Sequence, residues 1–480
     1  MWGGINEMKF LLIRCMSEIQ EETESPFFTS QLSDINVPSS YPPLGLLYIA
    51  SSLENDRHKV EIIDLSKEKI TVESLKNKLS SFDVVGFSVY YEDYIIVGKI
   101  TKMIKELYPK ITLIIGGPFC TFMKKQSLLK IPFADICVTG EGEEVIIDIV
   151  RYLEGKKNLS DINGIYYRDC KQIKKGKPLK IIKDLDSISF PARHLIDKYE
   201  YGKISNITLL KPKVTAMITS RGCPFKCRFC GRYGNVIEGW GFRQRSAENV
   251  VEELIDINEK YGSVIIYDDC FLVDKKRSHQ IMDKLIDSGT SIELMIEGIR
   301  VDSEDVELYR KMKKANVKLV SFGIESGNQD VIDFYKKKFT IEQARNAVKL
   351  SRKMGFLTFS TFILGGSSIE TEEHIENTIK FACSLPLDVV NFLPLYYQKG
   401  SALWHEEVKN KKISKDEYTV MADSSRGLGN FTPEELVEFR NSATRRFYLR
   451  PGYMLDQVYQ AFLRKNFNLL KYGMKLITRF

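Results

Sequence analysis

Short apolar runs alternate with longer amphipathic stretches over most of this chain. Between Lys9 and Leu153 the runs are Phe10–Arg14, Val60–Ile63, Val84–Val89, Ile111–Ile115 and Ile136–Thr139. Between them lie Pro43–Leu53, Val72–Leu79, Ile95–Tyr108 and, last, Val145–Leu153, where apolar residues recur every three or four positions. The first set predicts buried strands and the second predicts helices, so this part reads as repeated βα units of a doubly wound parallel sheet. The rhythm restarts at Val214. Predicted strands are Val214–Thr219, Val264–Tyr267, Ile292–Ile296, Leu319–Gly323, Thr358–Leu364 and Val389–Leu393. Predicted helices are Ala247–Lys260 (capped by Ser246), Lys275–Ile286, Ser303–Lys314, Ile341–Met354 and Glu372–Ser384. Six strands, each but the last followed by a helix, predict a partial (β/α)6 barrel, whose polar residues cluster at the carboxyl ends of apolar strands.

Two stretches break the rhythm. Residues 155–212 are lysine-rich and irregular, with a possible hairpin of Asn163–Tyr167 and Leu179–Ile182. From Ser401 onward no βα unit recurs. Thr432-Pro433-Glu434-Glu435 is a capping box that opens a helix predicted to reach Tyr448; Arg450-Pro451 breaks it, and a second helix starts near Tyr453. The chain therefore divides as 1–154, a linker 155–212, a barrel 213–400 and a mostly helical region 401–480.

The 480 residues are 43% hydrophobic and 28% charged, as in ordinary soluble domains. No run of about 18 apolar residues occurs, so no membrane-spanning helix is predicted. Phe10–Ile13 is too short for a signal peptide and is followed by Glu18, Glu21, Glu22 and Glu24. Nine cysteines without a secretion signal point to a reducing cytoplasm. The net charge of +7 requires no polyanion, and no RNA-binding domain is evident, so no nucleic-acid partner is expected. Most of that charge sits in the tail, where nine Arg/Lys face four acids from Thr432 onward and Phe462, Phe467, Tyr472 and Phe480 interleave. Such a tail either touches a membrane or packs on the barrel; packing is the expectation.

The densest chemistry is Thr219–Gly231, where Cys223, Cys227 and Cys230 stand at C-x3-C-x2-C spacing. Three thiolates in one loop suit zinc or an iron–sulfur cluster. A structural zinc site takes four protein ligands, so three leave a zinc site incomplete and a 4Fe–4S cluster with one iron open. The alternatives are a metal-free turn or zinc completed by a distant residue. These cysteines, with Phe229 just before the last, resemble the radical S-adenosylmethionine (SAM) family. The resemblance implies that the open iron binds the amine and carboxylate of SAM. It implies also that an electron from the cluster releases a 5′-deoxyadenosyl radical that abstracts hydrogen from substrate.

The first 154 residues resemble the cobalamin-binding domain of one large radical SAM subfamily. The matching pieces are Pro42-Pro43-Leu44-Gly45-Leu46, Val85-Gly86-Phe87-Ser88, Gly116-Gly117-Pro118 and Gly140-Glu141-Gly142-Glu143. Their strand-end loops (Ser88, Gly116, Gly117, Pro118, Gly140, Glu141, Gly142) are implied to clasp the corrin. Such a placement accords with ligand sites of doubly wound sheets. No D-x-H-x-x-G motif is present: Glu61 stands where its glycine would be, and His58 reads as the end of a surface turn. Phe119 and Cys120 replace the histidine and small residue common in relatives. Cys15 and Cys120 read as small buried hydrophobes. No G-x-G-x-x-G follows the first strand, which argues against NAD.

In the barrel, Asp268 and Asp269 either cap a helix or, as the resemblance implies, face the SAM amine. Glu325 and Ser326 either cap or contact the SAM ribose or carboxylate. Arg300 either pairs with Glu297 or Asp302 or faces the SAM carboxylate. Gly365-Gly366 resembles the loop beside adenine, but Gly366-Ser367-Ser368-Ile369-Glu370-Thr371 lacks the usual proline. Cys270 and Cys383 are isolated, so no second cluster is expected. Tyr396 and Tyr397 read as rim packing, with substrate contact as the alternative. The resemblance spans Lys9–Leu403. It implies a 4Fe–4S cluster, SAM, cobalamin and an external electron donor. It also implies methyl transfer to an unactivated carbon from methylcobalamin, which a second SAM replenishes. A radical SAM cyclase or rearrangement enzyme is the alternative, and a metal-sensing scaffold is a third reading. The substrate stays open among a protein side chain, a lipid and a small natural product; no residue is assigned to proton or group transfer.

Overall fold

The computed structural model describes residues 7–15, 41–68, 72–204, 207–303 and 305–471. Glu18, Glu21, Glu22 and Glu24 lie outside the described residues, as do Tyr472, Lys475, Arg479 and Phe480. The chain forms two compact units, Met1–Glu200 with Val236–Trp240, and Tyr201–Asn235 with Gly241–Phe480.

In the first unit the strands are β1 (Lys9–Arg14), β2 (Lys59–Asp64), β3 (Val84–Ser88), β4 (Thr112–Gly116), β5 (Ile136–Val138), β6 (Ile165–Asp169) and β7 (Gln172–Lys175). They form one sheet in the order β2-β1-β3-β4-β5-β6-β7, parallel through β5. Phe10, Leu11, Leu12 and Ile13 are all buried. A continuous apolar run is what a central parallel strand covered on both faces requires. Helix α1 (Leu44–Asn55) buries Leu46, Leu47, Ala50 and Leu53. Helices α2 (Val72–Leu79), α3 (Tyr94–Leu107), α4 (Pro118–Met123), α5 (Lys125–Lys130) and α6 (Glu143–Leu153) complete the unit.

Three expectations change here. The hairpin is β6–β7, so its second strand precedes Leu179–Ile182, and it extends the sheet antiparallel from β5. Residues 155–200 thus belong to the first unit. His58 is buried, not at a surface turn: Nδ1 accepts the Met8 N–H at 3.2 Å and Nε2 meets Asp56 at 3.1 Å. Gly117-Pro118 starts α4, with proline at its first turn, where no N–H is missed. Phe119 is buried and stacks on Tyr94 at 5.1 Å, so it serves the core.

In the second unit the strands are β8 (Val214–Met217), β9 (Ser263–Ile266), β10 (Glu293–Ile299), β11 (Val317–Glu325), β12 (Leu357–Leu364) and β13 (Val389–Pro394). All pair parallel in that order, and β8 and β13 remain edges, so the sheet is a barrel left open on one side. The intervening helices are α7 (Ala247–Lys260), α8 (Lys275–Asp287), α9 (Val306–Lys314), α10 (Gln329–Phe334), α11 (Ile341–Met354) and α12 (Glu372–Ser384). Their starts follow from side-chain caps: Ser246 accepts from Asn249 N, and Thr340 with Gln343 forms a capping box. Helix α9 starts at Val306 rather than Ser303, because Asp305 accepts the Leu308 N–H. The alternate residues Ser321, Gly323, Phe359 and Thr361 are half-buried while their neighbours are buried, marking the barrel's inner face.

Beyond the barrel lie a small hairpin of β14 (Tyr396–Gln398) and β15 (Thr419–Met421), and helices α13 (Ala402–Lys409), α14 (Pro433–Tyr448) and α15 (Pro451–Leu463). Helix α14 packs on β13: Phe447 meets Phe392 at 6.5 Å, and the Tyr448 hydroxyl bonds both Val390 N and Val390 O at 2.9 Å. Helix α15 begins at Pro451, two residues before the expected start, because proline's fixed φ suits the first helical position.

Candidate active site

The site of the second unit is built on the carboxyl ends of the barrel strands. Asp268, just past β9, is fully engaged: it accepts the Thr219 N–H, the Thr219 hydroxyl and the Ser220 hydroxyl, each at 2.6 Å. Burial raises its pKa above the ordinary carboxylate range, against these hydrogen bonds. Asp268 therefore braces the chain entering the cysteine loop. Asp269 is also shifted upward, by desolvation first and the Asp268 charge second, while the Gly222 N–H opposes. Gly298 (φ +68°) lies against both: a Cβ there would stand 2.4 Å from the Asp268 carbonyl oxygen, so only glycine fits. Sequence reasoning missed this glycine, which sits inside a strand.

The cysteine loop is held from three sides. Arg228 N donates to Tyr335 O at 3.1 Å, Leu403 N donates to Arg228 O at 3.0 Å, and the Arg228 guanidinium lies 4.2 Å over Phe334. Phe229 meets Tyr335 edge-on at 5.2 Å. Cys223, Cys227 and Cys230 are free and half-buried. Burial pushes the Cys230 thiol up to about 12, helped by the charges of Cys227, Asp269 and Cys223. Burial raises Cys223 likewise. Thiols whose ionisation is resisted by burial and by one another are relieved by a cationic metal group. Among the described residues no three His, Cys, Asp or Glu side chains converge as ligands of one ion. A lone zinc needs sulfurs about 2.3 Å from one centre. A cluster takes each thiolate at a separate corner, which three thiols in one loop suit.

Around the loop stand the other predicted residues. Glu325 takes φ +73°, a left-handed conformation that a glutamate adopts at a cost. It is buried and paired with buried Lys337 at 2.9 Å. Burial works to lower the Lys337 pKa, but the charges of Glu325 and Cys227 outweigh it and the shift is upward. The ammonium lies 5.7 Å from both the Phe229 and Phe339 ring centres. Ser326 faces α12, with Oγ 3.1 Å from Thr378 Oγ1 and accepting the Asn328 N–H at 3.1 Å. Arg300 pairs with Asp302 through Nε at 2.9 Å and Nη2 at 2.8 Å, and lies 3.7 Å over the Phe225 ring. Of the two carboxylates expected as protein partners, Asp302 is the one it pairs with.

The loop after β12 carries Gly365 at φ +66°. Buried Glu370 accepts the N–H groups of Gly365, Gly366 and Ser367 at 3.0, 3.1 and 2.9 Å, and the Tyr335 hydroxyl at 3.1 Å. This clamp shapes the loop without the usual proline. Tyr397 is buried and donates to Gly366 O at 3.0 Å. Cys270 is buried and Cys383 half-buried, neither near a second cysteine cluster among the described residues. On the inner face, Gly323, Thr361 and Asn391 lie in one register row. The Thr361 hydroxyl is 3.4 Å from Glu325, and Asn391 Oδ1 is buried with no partner among the described residues. An asparagine amid Val389-Val390 and Phe392-Leu393 was the one sequence signal for it.

In the first unit, Ser88, Gly116 and Gly117 meet at adjoining strand ends. Gly117 has φ +96°, and a Cβ there would stand 3.1 Å from Ser88 Oγ and the Val89 backbone. Pro118 follows as the first residue of α4. Gly140 has φ +74° and packs against Leu179; Gly142 packs against Ile49. These strand-end loops form a ledge whose glycines the chain's own packing requires, because Ser88, Val89, Leu179 and Ile49 occupy the space a Cβ would take. Glu141 is buried and accepts the Ile182 N–H at 2.8 Å, a brace on the chain itself. Cys15 and Cys120 are buried, in keeping with their reading as small hydrophobes.

A doubly wound parallel domain followed by an open barrel with a three-cysteine loop is the architecture that the sequence resemblance implies for a cobalamin-dependent radical enzyme. Comparison with known proteins agrees: the radical SAM superfamily model matches residues 217–382, and the B12 binding domain model matches residues 33–150. The chain belongs to the cobalamin-dependent branch of the radical SAM superfamily, whose cofactors are a 4Fe–4S cluster, SAM and cobalamin. It is 31% identical over 437 residues to an uncharacterized methyltransferase, PH0819, of Pyrococcus horikoshii, covering 88% of this chain and 91% of that protein. It is 25% identical over 440 residues to the anaerobic magnesium-protoporphyrin IX monomethyl ester cyclase of Cereibacter sphaeroides, covering 86% and 68%. Its fold matches the cobalamin-dependent SAM radical enzyme OxsB, solved with aqua-cobalamin and SAM bound, at a TM-score of 0.71 and 18% identity, covering 91% of this chain and 66% of that one.

Proposed function

We propose that the protein is a cobalamin-dependent radical SAM methyltransferase acting on an unactivated carbon. The observation that carries this reading is the Cys223–Cys227–Cys230 loop at a barrel strand end, on a chain related over 88% of its length to an uncharacterized methyltransferase. When bound, SAM on the reduced cluster supplies a hydrogen-abstracting radical and the corrin supplies the methyl group.

The chain's own residues bind and orient. Cys223, Cys227 and Cys230 hold the cluster, and Phe229 and Tyr335 shield it from water. Asp269 accepts the SAM amine. Glu325, held in its strained conformation by Lys337, accepts a ribose hydroxyl, and Asn391 Oδ1 offers a second acceptor from the barrel wall. The Gly365-Gly366 backbone lies against adenine, clamped by Glu370. Asp268, Ser326 and Arg300 are positioning residues: they brace the cysteine loop, α12 and the Phe225 ring. Ser88, Gly116, Gly117, Pro118, Gly140 and Gly142 present the corrin ledge, and Glu141 holds it closed at Ile182. An external one-electron donor is required. The substrate is a small molecule, a lipid or a protein side chain.

The test is anaerobic reconstitution with cobalamin and methyl-labelled SAM, then a search of host extract for labelled product. Cys227→Ala is expected to lose the cluster's visible absorbance and deoxyadenosine release; an unchanged spectrum would overturn the assignment. The likeness to a named cyclase supports a second reading. Product mass separates them, since methyl transfer adds a CH2 unit and cyclisation does not.

A further inference from the structure

Helix α15 is built inside out. Its buried positions include Gln457, Gln460 and Ala461, whereas Leu455 (73% exposed), Tyr459 (61%), Phe462 (66%) and Leu463 (59%) face solvent with Val458. Positions 455, 458, 459, 462 and 463 fall on one helical stripe. Phe467 continues it, packed edge-on against Phe462 at 5.2 Å. A helix that packs on protein alone carries the opposite pattern, and scattered exposed apolar residues do not make a continuous stripe.

The fold fixes where this stripe lies. Arg464 bonds Asp388 at 2.7 Å and Phe356 O at 2.8 Å, and Asn466 and Asn468 bond Leu209 O and Thr208 O at 2.9 and 2.8 Å. All four partners precede barrel strands, so α15 crosses the amino-terminal end of the barrel, opposite the cysteine loop. The same end exposes Lys213 and Lys318 at the starts of β8 and β11 and Lys314 and Lys353 at the carboxyl ends of α9 and α11, and exposed Lys465 and Lys471 follow α15 along the chain.

We infer that this face docks on an anionic lipid surface. An apolar stripe bordered by lysines matches the acyl–headgroup boundary of such a membrane. A second copy of the chain fits less well, because a two-fold contact sets the same basic rim against itself. Among the described residues no helix is long and apolar enough to cross a membrane, so the contact is peripheral. It leaves the cysteine loop at the far end of the strands, away from lipid.

Sedimentation of the full chain with vesicles tests this. Phosphatidylcholine vesicles containing phosphatidylglycerol are expected to carry the protein down, with affinity about tenfold or more above that for phosphatidylcholine alone, falling with salt. Phe462→Ser with Leu463→Ser is expected to lose binding by about tenfold or more, with the cluster spectrum unchanged. Lys318→Glu with Lys353→Glu is expected to weaken binding only to the anionic vesicles. Protein that stays in the supernatant with anionic vesicles overturns the inference. So does a dimer in light scattering that the serine variant makes monomeric.

Discussion

Replacing Glu370 with alanine removes an acceptor shared by four donors: the N–H groups of Gly365, Gly366 and Ser367 and the Tyr335 hydroxyl. Glu370 is 1% exposed, so water does not readily take its place. Hydrogen bonds to a charged acceptor are worth roughly 1.5–3 kcal/mol each, and buried donors left unpaired cost about 1–3 kcal/mol. Burial raises the Glu370 pKa despite those bonds, so desolvation offsets part of the gross gain. The net expectation for Glu370→Ala is a loss of about 3–5 kcal/mol. At about 2–4 °C per kcal/mol this lowers Tm by roughly 10 °C. Glu370→Gln keeps the shape but turns an amide NH2 toward one donor set, so its loss is expected to be intermediate. Anaerobic thermal unfolding followed by near-ultraviolet circular dichroism measures both, and limited proteolysis reads the 365–371 loop directly. A Glu370→Ala protein that melts within about 2 °C of the parent, with the loop uncut, refutes the clamp.

The Glu325–Lys337 pair separates stability from binding. Lys337→Met strands a buried carboxylate and is expected to cost about 3–5 kcal/mol in denaturant unfolding, while Lys337→Met with Glu325→Gln recovers most of it. Calorimetry with SAM is then expected to show the recovered double variant still impaired; full affinity there would make the pair purely structural. At the outer surface, the Arg446 guanidinium holds the Glu376 carboxyl down at about 2. A depressed pKa contributes stability above the ordinary value of 4.5 and loses it as pH falls from there toward 2. The pair is open to solvent, so Arg446→Ala is expected to cost less than about 1 kcal/mol at pH 7, with the difference vanishing near pH 2. A difference that persists at acid pH assigns Arg446 another role.

Much of the architecture was legible because burial writes itself as period. Central parallel strands must be apolar on both faces, so Phe10–Ile13 stands out, and caps such as Ser246 and Thr432 are local. The exceptions are instructive. The β6–β7 hairpin came out shifted because its turn, at Cys170 (φ +52°), carries no glycine or proline to mark it. His58 was read as exposed because its partners, Met8 N and Asp56, leave no periodic trace. The tail was expected to pack, and both α14 and α15 do, but α15 packs through Gln457, Gln460 and Ala461 and turns its apolar stripe outward; hydropathy alone does not say which face a helix buries.

What the sequence determined by itself was the trio of thiols and the succession of strands and helices along the chain, since both depend on neighbours a few residues apart. What the tertiary structure decided was which charges meet. Asp268 accepts from Thr219 and Ser220, and Arg300 pairs with Asp302. Glu325 meets Lys337 across 12 residues, and Glu370 meets Tyr335 across 35. Those pairings follow from where strand ends converge once the parallel sheet forms, and a chain read in one dimension holds no record of that distance.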